Sequence, residues 1–250
     1  MTETKRKPDI DVRALLDGLR KVLPTQAVIT DATSLRAWEC DGLPLYCELP
    51  LAVVMPRDAG EVAAIMSLCH RLDVPVVPRG SGTGLSAGAM PHPEGVVLSL
   101  AGLDRIVAID VPNRSARVQP GVTNLSISEA VAAHGLFYAP DPSSQIACSI
   151  GGNVAENAGG VHCLKYGLTV HNVMALTMIT AEGEILTLGG SGLDTPGPDL
   201  LALMIGSEGL LGVVVEITVK LLPLPESVAV IMAGFDAVAA AGDAVGNIIA

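Results

Sequence analysis

Aromatic side chains are almost missing: two phenylalanines, three tyrosines and one tryptophan in 250 residues. That scarcity argues against a platform on which nucleic-acid bases stack, and it makes the core aliphatic. Positive charge is also thin. Fifteen lysines and arginines face 26 aspartates and glutamates, for a net charge of −11. A phosphate backbone needs clustered cations, so no nucleic-acid partner is expected. Any phosphate ligand must be gripped locally, by backbone dipoles more than by long-range attraction. The five cysteines, Cys40, Cys47, Cys69, Cys148 and Cys163, are odd in number and contain no C-x-x-C pair. Neither a disulfide framework nor a zinc or iron–sulfur site is signalled, and reduced thiols in a cytoplasmic protein are the default. No uncharged apolar run reaches about eighteen residues, and the first residues, "MTETKRKPDID", hold no apolar signal core. Membrane association would have to be indirect. Lysine is lacking between Lys21 and Lys165, which excludes a Walker-type phosphate loop, because that loop ends in Gly-Lys-Ser/Thr.

What is plentiful is apolar residues, 50% of the chain, and glycine, 27 residues. A chain of this length buries a sizeable core in one or two domains. "DVRALLDGLRKVL" (11–23) spaces its apolar residues helically and stops at Pro24. "LAVVM" (51–55) reads as a buried strand, residues 57–73 as a helix opened by Asp58 with Glu61 three positions on, and "VPVV" (74–77) as another strand. Three strand-like runs follow, 95–100, 105–111 and 115–121, most simply a meander. Residues 124–135 have helical spacing and a glycine stop. "YAPDPSSQIACSIGGNVAENAGG" (138–160) is too rich in Pro, Ser, Asn and Gly to be regular throughout, and a long structured loop of this kind usually carries function. Residues 172–180 and 184–188 flank "AEG" as a hairpin, 199–209 suggest a short helix, and 212–222 a long strand. In "FDAVAAAGDAVGNIIA" an apolar face is still accumulating at Ala250, where a natural terminus is ordinarily polar. The expectation is a chain cut within a second domain; the alternative is a terminal helix docked on the core.

"PRGSGTGLSAGAM" (78–90) places Gly80, Gly82, Gly84 and Gly88 in thirteen positions. Each glycine costs roughly 0.5–1 kcal/mol of backbone entropy relative to alanine, so four together need a reason. A Rossmann loop must run straight into a helix whose N-terminus faces the pyrophosphate; here Pro91 and Pro93 follow, and then a strand. A structural turn needs fewer glycines. The remaining reading is a nest, in which the N–H groups of residues 79–85 converge on a diphosphate, with Ser81 and Thr83 as added donors. Arg79 is either a local cation for that anion or an exposed surface arginine.

"PRGSGTGLSAGA", "YAPDPSSQIACSIGGNVAENAGGVHCLKYG" and "GSEGLLGVVVEITVKLLP", in this order, resemble flavoproteins of the vanillyl-alcohol oxidase type, which carry a PCMH-type FAD domain. Within them the match is to the branch of glycolate and D-lactate oxidising enzymes. The resemblance covers nearly the whole chain. It implies an α+β fold: a helical opening segment (1–45), an FAD-binding domain (46–225) of two α/β subdomains (46–90 and 91–225), and the start of a substrate domain that is largely absent (226–250).

By the same resemblance, noncovalently bound FAD meets four segments. They are Pro78, Arg79, Gly80, Ser81, Gly82, Thr83 and Gly84; Asp141, Pro142, Ser143, Ser144, Gln145, Ile146 and Ala147; Glu156, Asn157, Ala158 and Gly159; and Glu208, Gly209, Gly212, Val213 and Val214. Ser143, Ser144, Gln145 and Asn157 can hydrogen-bond a flavin edge or merely cap turns and helices. Gly151 and Gly152 permit close backbone approach. Glu208 reads as a carboxylate capping loop amides. Ser81 and Thr83 stand where covalent relatives carry a histidine, hence noncovalent attachment. A metal at His162, Cys163 and His171 has no ligand spacing behind it, and His70, His92 and His134 read as packed or solvated. The resemblance further implies oxidation of a small 2-hydroxy acid, glycolate to glyoxylate or D-lactate to pyruvate. Partner subunits, one flavin-like and one iron–sulfur, would pass the electrons on. The base and substrate-carboxylate groups belong to the second domain, so no catalytic residue is assigned. A noncatalytic flavin scaffold and a Rossmann nicotinamide dehydrogenase are the competing readings.

Overall fold

The structure is a computed structural model that describes residues 10–190, 192 and 197–250. The first layer is built from α1 (Val12–Val22), β1 (Val28–Ile29), α2 (Ala32–Leu35), β2 (Ala52–Val54), α3 (Ala59–Arg71), β3 (Val76–Arg79) and β4 (Val96–Ser99). Asp11 caps α1 by accepting from Ala14 N, and Leu15 and Leu19, one turn apart, face inward. Asp58 caps α3 through Glu61 N at 2.9 Å, while the Glu61 carboxylate accepts from Arg57 N at 2.7 Å. Two donors at the helix start are thereby satisfied from opposite sides.

The four strands pair in the order β1-β2-β4-β3, with β4 parallel to both β2 and β3. Their pleat sorts the side chains. Ala52, Val54, Val96 and Leu98 join the core under α1 and α3, whereas Val53 and Val97 meet Leu35 on the other face.

The second layer comprises β5 (Ile106–Asp110), β6 (Ser115–Val118), α4 (Asn124–Val131), β7 (Leu136–Phe137), α5 (Ile150–Glu156), α6 (Cys163–Tyr166), β8 (Val173–Ile179), β9 (Ile185–Gly189), α7 (Leu200–Met204), β10 (Val213–Lys220) and β11 (Leu222–Pro223). Five strands form an antiparallel sheet, β5-β6-β10-β8-β9, and β7 and β11 pair separately. Val214, Ile217 and Val219 face α4, α5 and α7, while Val213 and Val215 point to the opposite side and join the core of the first layer with Ile179. Gly183, at φ +92°, lies against α3, where a Cβ would stand 2.6 Å from Ala63 O. One apolar seam therefore runs through both layers.

Two expectations are corrected. The run 95–100 is not the first strand of a meander: β4 is buried along its whole length and lies between two parallel partners, whereas only β5 and β6 make a hairpin. A boundary at residue 90 would accordingly cut the first sheet, and the opening segment is not separate from it, since α1 and β1 contribute Leu15, Leu19 and Val28 to the same core. The stretch 138–160 is irregular for most of its length, as its composition implies, and holds the helix α5, capped by Ser149. After β11 the chain runs to α8 (Val238–Ile249), in which no residue is buried; Val238 is 91% and Ile248 84% exposed.

Candidate functional site

Where β3 ends, the glycine bend begins, at the carboxyl end of two parallel strands, the edge at which open α/β sheets take ligands. It leads through turns to β4 and into no helix. Among the described residues, none of the amides of residues 80–85 donates to a protein acceptor. The bend walls a cleft of about 320 Å³ between the two layers. Unspent amides in the wall of a cavity are what a backbone nest for an anion requires.

The other walls are pinned to the bend and to each other. Residues 148–151 run antiparallel to 120–124: Asn124 N donates to Cys148 O, Ile150 N to Val122 O and Gly151 N to Pro120 O. Ser149, at the start of α5, sits against Gly80, where any Cβ would overlap its Oγ. Beyond α5, Gly206 N donates to Val154 O at 2.8 Å and Glu208 N to Ala155 O at 2.9 Å, which brings the loop before β10 onto the helix end. Gly209, at φ +77°, packs on Pro78, where a Cβ would stand 3.1 Å from Cγ.

All seven residues of the first predicted segment line the cleft, as do Pro142, Ser144, Gly151, Gly152, Glu156 and Ala158, together with Glu208, Gly209, Gly212, Val213 and Val214. Asp141, Ser143, Gln145, Ile146, Ala147, Asn157 and Gly159 are not among the lining residues. Asp141, Gln145, Asn157 and Ile146 have another local occupation or face outward. The Asp141 carboxylate meets His162, with Oδ2 2.6 Å from Nδ1. The Gln145 carbonyl accepts from Leu125 N at 3.0 Å. Asn157 ends α5 in the left-handed region and accepts Val170 N at 3.0 Å, the helix-capping use of an asparagine. Ile146 is 75% exposed. Sequence reading missed Leu100, Pro120, Ser149, Asn153 and Met204, which also line the cleft, as does Gly88 of the glycine bend. Asn153 belongs to a buried network in which Asn124 Nδ2 donates to Asn153 Oδ1 at 2.9 Å and to Pro140 O at 3.0 Å.

Charge in the cleft is mixed. Arg79 is not a surface arginine; it is buried, with Nη1 donating to Cys40 O at 2.7 Å. Glu156 and Glu208 approach one point of the bend, since a Cβ on Gly88 would lie 3.2 Å from Glu156 Oε1 and 3.5 Å from Glu208 Oε2. Among the described residues no loop amide donates to Glu208, which corrects its expected capping role. Burial, then the neighbouring charges of Glu208 and Asp41, hold the Glu156 carboxyl above its ordinary range. Among the described residues no three His, Cys, Asp or Glu side chains converge as a metal site. His171 instead accepts Leu168 N. All five cysteines are free. No described helix is long and apolar enough to cross a membrane.

The profile of the FAD binding domain family matches residues 50–189. The chain is 58% identical over 243 residues to glycolate oxidase subunit GlcD of Escherichia coli K12, covering 97% of this chain and 49% of that protein. It is 37% identical over 216 residues to D-lactate dehydrogenase of Anaerostipes hadrus, covering 86% of this chain and 45% of the relative. The chain thus spans about half the length of the curated relatives it matches. A solved alkyldihydroxyacetonephosphate synthase superposes with a TM-score of 0.76 at 20% identity, over 89% of this chain and 42% of that one, a likeness of fold.

Proposed function

We propose, from the premise that this chain belongs to the FAD binding domain family, that its cleft seats FAD noncovalently with the diphosphate on the bend at residues 80–85, and that the protein oxidises a small 2-hydroxy acid. The observation that carries the reading is the row of amides at residues 80–85 that, among the described residues, no protein acceptor uses, on a bend that lines the cleft. The residues fit the group. The bend supplies N–H donors to two phosphates, the glycines of α5 let backbone come close, and Val213 and Val214 offer an apolar wall.

FAD, when bound, would supply the redox chemistry, taking a hydride, that is two electrons with one proton, from an alcohol carbon whose hydroxyl proton goes to a base. This chain's residues orient it and keep water away. The amides hold the diphosphate, Ser81 and Thr83 add hydroxyl donors, and the aliphatic wall from β10 excludes solvent. Glycolate is the first candidate substrate and D-lactate the second, by likeness to relatives that carry those names. The name of the Escherichia coli relative makes it a subunit. For this chain we extend the proposal to partner subunits, one flavin-like and one iron–sulfur, that carry the electrons away. Membrane contact would then run through those partners from the cytoplasmic side.

Titration of the cofactor-free chain with FAD tests the reading. Saturable binding with the visible bands of bound flavin is expected, and no binding at micromolar FAD overturns it. Anaerobic mixing of the FAD-loaded chain with glycolate should leave the flavin oxidised, whereas the same chain fused to the second half of the Escherichia coli relative, of which it covers 49%, should bleach within seconds. Bleaching of the chain alone would refute the placement of the base and substrate groups outside these residues. Binding without bleaching in the fusion would favour a flavin scaffold.

A further inference from the structure

Arg79 closes β3, and its carbonyl stays with the sheet, accepting Leu100 N at 2.9 Å. Its side chain turns under the glycine bend. Nη1 donates to Cys40 O at 2.7 Å and reaches Ala89 O at 3.4 Å, while Cζ lies 5.5 Å from the centroid of the Trp38 ring. The guanidinium thus touches a segment about forty residues earlier and the far end of its own bend. Gly82 lies directly on it: a Cβ there would come within 2.7 Å of Cζ and 2.9 Å of Nε. Next to Cys40, Gly42 meets the same bend from outside, where a Cβ would stand 2.7 Å from Gly84 O and 3.0 Å from Thr83 O. Backbone therefore packs on backbone, and the cation sits at the junction.

An arginine only 9% exposed needs a reason to be there, because desolvating a charge is expensive. Burial lowers its proton affinity and nearby Asp41 raises it, yet among the described residues no carboxylate lies within 4.0 Å of it. Asp41 spends Oδ1 on Leu43 N at 2.8 Å and leaves Oδ2 buried without a partner. Among the described residues Nε and Nη2, three of the five N–H donors, are uncommitted. A cation with spare donors lies behind a bend whose amides are also spare.

We propose that Arg79 is the positioning residue of the bend: it clasps residues 38–42 and 89 around the glycines and sets a positive charge behind the amides that face the diphosphate. This rests on the FAD reading and deepens it. Direct contact with the cofactor is not part of it. Arg79 acts through the bend, so affinity and the phosphate environment depend on it.

The test compares Arg79→Lys and Arg79→Gln with the native chain. FAD affinity is read by flavin fluorescence, the diphosphate by phosphorus NMR, and the clasp by emission of Trp38, the single tryptophan. Lysine keeps the charge and loses the fork, so affinity should fall roughly tenfold; glutamine loses both, and affinity should fall roughly a hundredfold with displaced phosphorus resonances. Glutamine binding within twofold of native overturns the proposal, and so does an equal loss in both variants, which would leave the charge no role. If Arg79→Gln fails to fold by circular dichroism, Arg79→Lys decides: a folded variant with unchanged affinity overturns the proposal. If the native chain itself binds no FAD, the flavin reading fails instead, and the two failures are distinct.

Discussion

Two adjacent glycines at the start of α5 should respond to alanine in opposite ways. Both line the cleft. In a helix, glycine to alanine stabilises by about 0.5–1 kcal/mol, because less backbone freedom is lost on folding. At Gly151 that gain meets a wall. The new Cβ would stand 2.6 Å from Pro120 Cβ and 3.0 Å from Pro120 O, against 3.4 Å where ordinary contact begins, and the nearer neighbour belongs to a rigid ring. Gly151 N also donates to Pro120 O at 2.9 Å, so relief of the clash strains that bond. Overpacking of this kind costs about 1–3 kcal/mol. The net expectation for Gly151→Ala is a loss of up to about 2.5 kcal/mol after the propensity gain is deducted. At Gly152 the nearest atom to the new Cβ is Ser149 Oγ at 3.4 Å, so the helix gain should survive and the cofactor-free chain should hold or gain up to about 1 kcal/mol. The methyl would nevertheless occupy space inside the cleft, and FAD affinity should fall about tenfold to a hundredfold, equivalent to 1.4–2.8 kcal/mol. Urea denaturation of the cofactor-free variants gives the first pair of numbers, and FAD titration gives the second. A stabilised Gly151→Ala, or a Gly152→Ala that binds FAD at native strength, would refute the packing argument.

Further outcomes follow from the same geometry. The proton affinity of Glu156 is raised in the fold above its reference of 4.5, so the folded chain holds more protons than the unfolded one just above that pH and native stability falls as pH rises through the window. Glu156→Gln removes the contribution, and the melting temperature of the native chain should drop relative to the variant as pH climbs above 4.5; parallel profiles would sink the assignment. Asn124→Ala leaves Pro140 O and Asn153 Oδ1 without their buried donor, at about 1–3 kcal/mol, and weakens FAD binding by releasing the segment before Pro142; a loss below about 0.5 kcal/mol in chemical denaturation would contradict it. Leu98→Ala, at a fully buried site between parallel strands, should cost about 2–5 kcal/mol by the same assay, and a change under about 1 kcal/mol would mean the first sheet is misplaced.

The parts legible in the sequence are those where a local rule has one physical solution. Asp58 with Glu61 announces the start of α3, since a helix end must satisfy its own donors. The bend is legible because four glycines are costly unless backbone has to be bare. The sheet to which residues 96–99 belong is not legible, because a strand buried on both faces shows no alternation and its neighbours are chosen by parallel pairing far along the chain. The orientation of Arg79 is equally invisible: its acceptor is Cys40, 39 positions away, and nothing local separates a clasp from a surface charge. The sequence leaves Asn157 as either a flavin contact or a cap, because its side chain suits both, and only the structure shows the left-handed helix terminus that favours an asparagine or glycine. The convergence of Glu156 and Glu208 on Gly88 comes from the docking of the loop before β10 onto α5, a tertiary event without a sequence signature.

The alternating valines of β10 lock the two halves of the molecule into a common interior, with Val213 and Val215 buried beside Leu98 while Val214 faces the opposite side. Opening the cleft by rotating one half away from the other would tear that interior, exposing side chains worth about 1.5–3 kcal/mol each. Exchange of a large dinucleotide must therefore proceed by local displacement of surface bends around a frame that stays closed, and release should be slow and insensitive to anything that merely loosens domain hinges.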